Sequence, residues 1–354
     1  MSTTAFPAEL GDVRPKGQWA LAWRRLRRDR VAVGCGVFLL VLLFAVFPGA
    51  PLYEKAVGHG PNDLFPYAVN ISLRPAGPFT VTWDTSTLAD TDPFAFHHKA
   101  PAPGTKKTLL LLGADGQLGR DEFLRLLYGG RVSLEIALGA ALIAISIGLV
   151  LGAAAGYFGG VVDAVVSRFT DLVMALPLLL VLVLIGSLYT HGLTDWTLHG
   201  LFNKGVVQLI LIIGCFTWFY PARIVRTQLQ SLRHREFVEA AQMVGARDAR
   251  IVRTHLLPHV VPPLLAYGTL LIATNIMLEI GVTFLGAGIH LPTASWGSLL
   301  AATWGSLLNP NPFNPAATQP WLTICPSVAI FLTVFALNQF GEGLREATDP
   351  RSVR

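Results

Sequence analysis

Charged residues are scarce in this sequence. Asp, Glu, Lys and Arg make up only 14% of its 354 residues, against roughly 25% in an average soluble domain. Hydrophobic residues make up 52%, and many stand in runs that reach the roughly 17–25 residues needed to cross a bilayer as a helix. The composition excludes a soluble enzyme and a disordered chain, and it predicts an all-α membrane protein with several spans.

Cysteine is also scarce, and a nucleotide-binding motif is missing. Cys35, Cys215 and Cys325 each lie in an apolar run and form no C-x-x-C pair, which argues against disulfide, redox and zinc sites. The sequence contains no Gly-x4-Gly-Lys-Ser/Thr phosphate loop, so it predicts no ATP hydrolysis by this chain. We therefore expect no catalytic residues, no metal site and no bound cofactor.

Six apolar runs predict six transmembrane helices. The predicted spans are residues 31–47, 132–157, 160–188, 206–225, 259–285 and 321–340. Short cytoplasmic loops are enriched in Lys and Arg, which gives a test of orientation. Five arginines at positions 24–30 directly precede the first span and seven lie at positions 223–253. Loop 189–205 carries only Lys204, and loop 286–320 carries neither residue type. The pattern predicts that both termini are cytoplasmic.

The predicted organisation has five parts. Residues 1–30 form a basic cytoplasmic tail, 31–47 the first span, 48–131 a periplasmic loop, 132–345 the transmembrane core with a cytoplasmic segment at 231–257, and 346–354 a cytoplasmic tail. Strand-like stretches at 79–83 and 108–112 predict an extra folded excursion in the periplasmic loop. Nothing in that loop has catalytic spacing, so we expect a structural or partner-docking role.

The segment 231–257 carries the most specific pattern of the sequence. Four apolar residues recur at three- and four-residue spacing, namely Phe237, Ala240, Ala241 and Val244. The spacing predicts a short helix with one apolar face, which ends at Gly245. A second short helix is expected at 248–256, with Pro258 marking the turn into the next span. A basic amphipathic loop on the anionic inner leaflet is the simplest interpretation.

A sharper interpretation comes from a motif in this segment. Its residues are Glu239, Ala240, Ala241, Gly245, Leu257 and Pro258. Their order, Glu-Ala-Ala-x3-Gly followed twelve residues later by Leu-Pro, resembles the EAA motif of bacterial ABC importer permeases. In that family the motif forms a coupling helix that sits in a groove of the cytoplasmic ATPase. The resemblance implies that these six residues couple this chain to a separate ATPase.

Further stretches are similar to the dipeptide and oligopeptide permease "C" subunits of the same family. They are Gly113–Asp121, Tyr128–Ser133, Gly156–Gly160, Phe284–Gly288, Ser295–Gly297 and Ala336–Arg345. The similarity covers the first span and nearly all of residues 113–351, whereas residues 50–112 look unlike the common members. The resemblance implies the fold of a type I ABC importer permease, located in the bacterial inner membrane.

The resemblance also implies partners and a solute class. The partners are a second homologous permease, two ATPase subunits that bind ATP and Mg²⁺, and a periplasmic or lipid-anchored solute-binding protein, with membrane lipid around the spans and no nucleic acid. The implied solutes are dipeptides and oligopeptides, with nickel, glutathione or another peptide-like solute as alternatives. An ion-coupled secondary transporter is less favoured, because the spans show one strong acidic candidate and no visible repeat.

Four residues outside the motif are further candidates. Glu279 and Asn275 lie one helical turn apart, deep in the fifth span, where an ionisable group suggests a functional site. We expect this pair to position or gate helices, with solute contact as the alternative. Arg120 and Asp121, just outside the second span, are expected to pair with each other, with docking of the solute-binding protein as the alternative.

Overall fold

The computed structural model describes most of the chain. The described residues are 23–69, 75–83, 105–115, 118–188, 197, 200, 202–308 and 319–348, with only the backbone described for 305–308. Three predicted regions lie wholly or partly outside these residues: the N-terminal tail up to residue 22, the C-terminal tail from residue 349, and the periplasmic loop between residues 84 and 104.

Helices dominate the described residues. In chain order they are α1 (Arg30–Val57), α2 (Glu122–Phe158), α3 (Gly160–Ala175), α4 (Leu178–Leu188), α5 (Val206–Phe216), α6 (Phe219–Leu232), α7 (Glu236–Met243), α8 (Asp248–Phe284), α9 (Trp296–Leu308) and α10 (Trp321–Thr348). Two of them contain π-helical turns, at Ala45–Gly49 in α1 and Ile251–Leu256 in α8. A 3₁₀ turn at Pro66–Ala68 follows α1.

Four of these helices, α1, α2, α8 and α10, are long and apolar enough to cross a membrane. The pairs α3–α4 and α5–α6 pass the same test together, but they bend by 82° and 41°. The described residues therefore contain four candidate spans, or up to six if each bent pair is one span. The six predicted apolar runs fall on these elements.

The helix that carries the second predicted span begins before that span. Helix α2 starts at Glu122, ten residues before position 132, because Glu122, Arg125 and Arg131 interrupt the apolar run without interrupting the helix. Asp121 is the N-cap of this helix, and its Oδ1 accepts hydrogen bonds from the backbone N–H groups of Phe123 and Leu124. At about 1.5 Å per residue, α2 is roughly 55 Å long and extends beyond a hydrocarbon layer of about 30 Å.

The prediction that Pro258 marks a turn is wrong. The chain turns at Gly245, whose φ is +82°, and one helix runs from Asp248 to Phe284. Proline lacks the N–H that a helix interior uses, and the π-helical segment Ile251–Leu256 directly before Leu257 changes the hydrogen-bond register there. Pro177, by contrast, lies at the break between α3 and α4.

A helix also occupies part of the predicted outer loop 286–320. This helix, α9, has 13 residues, too few for a span of about 20. Trp296 and Leu299 are buried and pack with Ile330 of α10 and Ile280 of α8. Helix α9 therefore belongs to the helix bundle even though its sequence does not identify it as a span.

Glycines bring α2 and α6 into close contact. A Cβ atom on Gly148 would lie 2.6 Å from Cβ of Pro221, and one on Gly156 would lie 2.8 Å from the carbonyl oxygen of Arg226. Such distances are shorter than van der Waals contact, so only glycine allows the two backbones to approach this closely. Small residues play the same role at helix interfaces in membranes generally.

This contact gives a first testable prediction. Gly148→Val is expected to lower the thermal stability of the folded chain, since overpacking costs about 1–3 kcal/mol. Gly34→Val is the matched control, because Gly34 is exposed on α1 and no atom lies within 4 Å of the position that a Cβ would take there. The measurement is the temperature at which half of the detergent-solubilised chain aggregates. Equal midpoints for the two variants would contradict the packing account.

Among the described residues of the excursion that follows α1, four segments form short strands. Strands β1 (Thr80–Trp83) and β2 (Lys107–Leu110) pair antiparallel, with Thr80 opposite Leu110. Strands β3 (Ala114–Asp115) and β4 (Arg120–Asp121) form a second antiparallel pair that leads directly into α2. The strand-like stretches predicted at 79–83 and 108–112 thus correspond to β1 and β2. Burial of Leu110, Ala114 and Phe65 gives the excursion a small apolar core.

Candidate functional site

Helix α7 carries the first part of the predicted coupling motif. One side of the helix is anchored, because Val238 is fully buried in a cluster with Ile251 and Leu256 of α8 and Leu229 of α6. Ala241 is partly buried against the same cluster. The anchored side therefore connects α7 with two long helices of the bundle.

The opposite side of α7 is an exposed apolar surface. Phe237 is 40% exposed, Met243 83% and Val244 89%. Ala240 is exposed between them, and Glu239 adds an exposed carboxylate. The prediction of a single apolar face is too simple, since the helix has an anchored apolar side and an exposed one. We call Phe237, Glu239, Ala240, Met243 and Val244 the α7 surface.

Gly245 ends α7 in a conformation that favours glycine. Its φ of +82° lies in the left-handed region, and its N–H donates to the carbonyl of Gln242 at 2.9 Å. The remaining motif residues, Leu257 and Pro258, lie within α8, where Leu257 is partly buried and Pro258 is exposed. The structure thus brings Glu239, Ala240 and Gly245 together and places the Leu-Pro pair in the following helix.

Polar bonds hold the helices around α7. Tyr157 at the end of α2 donates to Asp248 Oδ1 at 2.6 Å. Asp163 of α3 accepts from both Arg226, at 2.9 Å through Nη2, and Gln230, at 3.1 Å. Asp171 pairs with Arg223 at 3.1 Å in an exposed ion pair, which contributes little to stability. These bonds join α2 to α8 and α3 to α6 at the end of the bundle that carries α7.

Glu279 joins three helices at a buried point. Its Oε2 accepts from Ser133 of α2 at 2.9 Å, and its Oε1 accepts from Thr283 of α8 at 3.0 Å. The same Ser133 oxygen accepts from the backbone N–H of Trp296, the first residue of α9, at 3.1 Å. Glu279 is fully buried, so its carboxyl group faces protein hydroxyls and not open solvent.

Asn275 lies one turn before Glu279 and is also fully buried. Its Nδ2 donates to the carbonyl of Ala137 in α2 at a long 3.4 Å. Among the described residues, its Oδ1 has no hydrogen-bond partner. Asn275 therefore adds a second polar link between α8 and α2.

Arg120 and Asp121 do not pair with each other, and that prediction is wrong. The Arg120 guanidinium pairs with Asp115 at 2.6 Å, and Arg125 lies 3.0 Å from the same carboxylate. Asp121 is paired with His59 at 3.0 Å while it caps α2. Both side chains are buried, so the docking alternative has no exposed charge at these positions to support it.

Three functional candidates were not identified from the sequence. They are Ser133 and Trp296, which share the Glu279 cluster, and Met243, which is part of the α7 surface. Helical spacing could have identified Met243, because it lies four residues after Glu239 and therefore on the same side of the helix. Ser133 and Trp296 are distant in sequence from Glu279, and no local pattern indicates their contact.

Comparison with known proteins agrees with this architecture. A family described as "Binding-protein-dependent transport system inner membrane component" matches residues 148–354. A second family, "N-terminal TM domain of oligopeptide transport permease C", matches residues 17–69. The first match alone covers more than half of the chain.

Several curated proteins are similar over much of their length. A Brucella ovis protein named "Putative peptide permease protein" is 31% identical over 95% of this chain and 92% of its own. The "Oligopeptide transport system permease protein OppC" of Salmonella typhimurium is 38% identical over 66% of this chain and 70% of its own. The protein of the same name in Haemophilus influenzae is 33% identical over 75% and 76%.

The helical architecture, the two family matches and the similar permeases agree with one another. Apolar helices and the family together make this a multi-pass protein of the inner membrane. The chain belongs to the family of binding-protein-dependent transport system inner membrane components, as an ABC permease of the OppC type.

Proposed function

We propose that this chain forms half of the translocation pathway of an ATP-driven importer for dipeptides and oligopeptides. The chain would cross the membrane six times, with α3–α4 and α5–α6 each counted as one span and both termini in the cytoplasm. The names of the OppC proteins and of the Brucella protein support a peptide solute. The arginine-rich sequence at 223–253 supports a cytoplasmic location for α7.

The observation that carries this proposal is the α7 surface. Met243 and Val244 expose most of their apolar area, next to Glu239, on a helix whose other side is anchored in the bundle. Large exposed apolar patches usually mark interaction sites. A soluble ATPase with an apolar groove and a basic or polar donor for Glu239 is the partner that fits this surface.

Movement of α7 would reach the spans through its buried side. Val238 packs against residues of α6 and α8, and Tyr157 connects the end of α2 to Asp248. Closure of two ATPases around nucleotide would draw the coupling helices together. The spans would then shift towards an outward-open arrangement, because nucleotide favours the closed ATPase pair and hence that state.

Four partners complete the proposed importer. They are a second homologous permease, two ATPase subunits, and a periplasmic or lipid-anchored solute-binding protein. ATP and Mg²⁺ would bind to the ATPase subunits and not to this chain. Among its described residues, no group of three or more His, Cys, Asp or Glu side chains could hold a metal ion.

Nickel, glutathione and other peptide-like solutes are the alternatives within this class. An ion-coupled secondary transporter would need a titrating group that reaches a water-filled path. Glu279 is instead bonded to Ser133 and Thr283 and fully buried. This arrangement supports helix positioning more than ion or solute binding.

A charge reversal in α7 tests the coupling proposal. Glu239→Lys is expected to lower peptide uptake more than 10-fold, since losing a charged interface contact costs about 2–5 kcal/mol. Cells that lack this gene would be supplied with plasmid copies of wild type or variant, and uptake of labelled dipeptide, longer peptide and nickel would be measured. The variant should remain in the membrane in normal amount.

Glu236→Lys is the matched control, because it makes the same charge change in the same turn of α7 at a residue outside the motif. We expect it to retain uptake. Normal uptake by Glu239→Lys would show that the coupling assignment is wrong. If the wild type restored uptake of nickel but not of peptide, the solute would be nickel and not a peptide. The assignment to the importer class would be unaffected.

A further inference from the structure

A polar cleft lies beside the first turns of α2. It encloses about 240 Å³, slightly less than the roughly 300–1,000 Å³ of sites that enclose drug-sized ligands. Its polar lining includes Asn62, Tyr128, Arg131, Glu135, Asn203 and Thr293. The cleft therefore lies between α2 and the loops before α5 and α9, with room for a small polar molecule.

Two opposite charges lie side by side in the cleft. Arg131 and Glu135 are one helical turn apart, and Arg131 Nε donates to Glu135 Oε1 at 2.8 Å. The Glu135 side chain is 9% exposed and that of Arg131 is 33% exposed. The guanidinium also lies 5.8 Å from the ring centre of Phe47, a cation–π contact that holds it in place.

The charge balance of the cleft selects its ligand. A guanidinium has five N–H donors and a carboxylate about four acceptor positions, and the bond described here joins one donor to one oxygen. A ligand with a single charge would match one member of the pair and repel the other. A molecule with both an ammonium and a carboxylate group can match both members at once.

We infer that this cleft is an entry subsite for the charged ends of a short zwitterionic peptide, with Arg131 receiving the carboxylate and Glu135 the ammonium group. The inference rests on the proposed function, because the proposed orientation turns the cleft to the side from which solute arrives. The volume of about 240 Å³ fits a dipeptide. The Asn62 oxygen accepts a hydrogen bond from Arg125 at 3.0 Å. The Asn62 NH₂ group and the Asn203 carboxamide can bond to the peptide unit.

Direct binding tests the inference without the solute-binding protein. The two permeases and two ATPase subunits would be placed in lipid nanodiscs without the solute-binding protein, and affinity measured for three probes: alanyl-alanine, its N-acetyl derivative and its C-terminal amide. Wild type is expected to bind the free dipeptide about 10-fold or more tightly than either derivative, the effect of losing one charge-assisted hydrogen bond.

Each variant should affect one end of the probe. Arg131→Gln is expected to weaken alanyl-alanine binding about 10-fold and to leave the amide unchanged, because the amide has no carboxylate. Glu135→Gln should weaken alanyl-alanine and leave the N-acetyl derivative unchanged. Arg131→Lys, which keeps the charge, should restore most of the binding. Glu135→Gln is the smallest change of side chain. If the complex that contains Arg131→Gln does not assemble, the test uses Glu135→Gln alone.

Two results would overturn the inference. One is equal wild-type affinity for all three probes, and the other is loss of binding that does not depend on which end of the probe is blocked. The latter is expected if Arg131 and Glu135 only stabilise α2. Uptake of labelled dipeptide by wild-type cells tests the proposed function separately. Uptake without end-selective binding would reject the peptide subsite in the cleft and leave the importer function standing. End-selective binding without uptake would reject the importer function and leave peptide binding in the cleft standing.

Discussion

Gly245→Pro is expected to reduce peptide uptake at least about 100-fold while the chain stays in the membrane. Proline requires φ near −65°, whereas Gly245 has φ of +82°. The substitution also removes the N–H that bonds to Gln242. A helix-end distortion of about 3 kcal/mol would displace the α7 surface from its ATPase groove, and ATP hydrolysis would no longer drive the spans.

Gly58→Pro is a closely matched control for this effect. Gly58 has φ of +84°, its N–H donates to the Glu54 carbonyl at 2.8 Å, and no atom lies within 4 Å of the position a Cβ would take. Gly245 is equally open, so the two substitutions have the same local cost. We expect Gly58→Pro to retain ATP-driven uptake. Equal losses in both variants would mean that the effect is general destabilisation and not coupling.

Glu279→Ala is expected to destabilise the chain by about 2–4 kcal/mol and to lower uptake in proportion to the folded protein that is lost. The change leaves the hydroxyls of Ser133 and Thr283 without their buried acceptor, and unpaired buried groups cost about 1–3 kcal/mol each. It also opens a cavity where α2, α8 and α9 meet. The measurement is thermal aggregation of the solubilised importer, combined with uptake kinetics.

Glu279→Gln separates the two roles proposed for this residue. Glutamine keeps an acceptor oxygen and nearly the same volume, and hydroxyls can both donate and accept, so helix positioning should survive the change. The glutamine variant is therefore expected to show nearly wild-type stability and KM. If Glu279 instead contacts the ammonium group of the solute, this variant will fold normally but show a KM raised about 10-fold or more.

Local sequence signals explain why the helices and α7 could be predicted. Long apolar runs identify spans because the bilayer sets their length, and the six runs fall on α1, α2, α8, α10 and the two bent pairs. The three- and four-residue spacing before Gly245 identified α7 in the same way. The exposed side of α7 could not be predicted, because Val238 and Ala241 also make its buried side apolar.

Helix ends and short helices depend on contacts that sequence patterns do not contain. Helix α9 is buried through Trp296 and Leu299 against α8 and α10, but its 13 residues are too few to be identified as a span from the sequence. The early start of α2 depends on Asp121 as a cap and on Arg125 paired with Asp115. Each of these features depends on a contact between residues outside a single apolar run, and the length of an apolar run gives no information about such contacts.

The error at Arg120 and Asp121 has a geometric cause. Adjacent opposite charges suggest an ion pair, but these residues form strand β4, where successive side chains point to opposite faces. Arg120 therefore meets Asp115 on one face and Asp121 meets His59 on the other. The Glu279 cluster was missed for a related reason, since Ser133 is 146 residues away in sequence.

The most direct test of the account is ATP-driven peptide uptake by the purified importer. The complete complex would be reconstituted in liposomes with its solute-binding protein, and accumulation of a labelled dipeptide measured with ATP, without ATP, and for complexes that contain Glu239→Lys. The account predicts accumulation that requires ATP and falls more than 10-fold in the variant. Accumulation without ATP, or equal accumulation in the variant, would contradict coupling through α7.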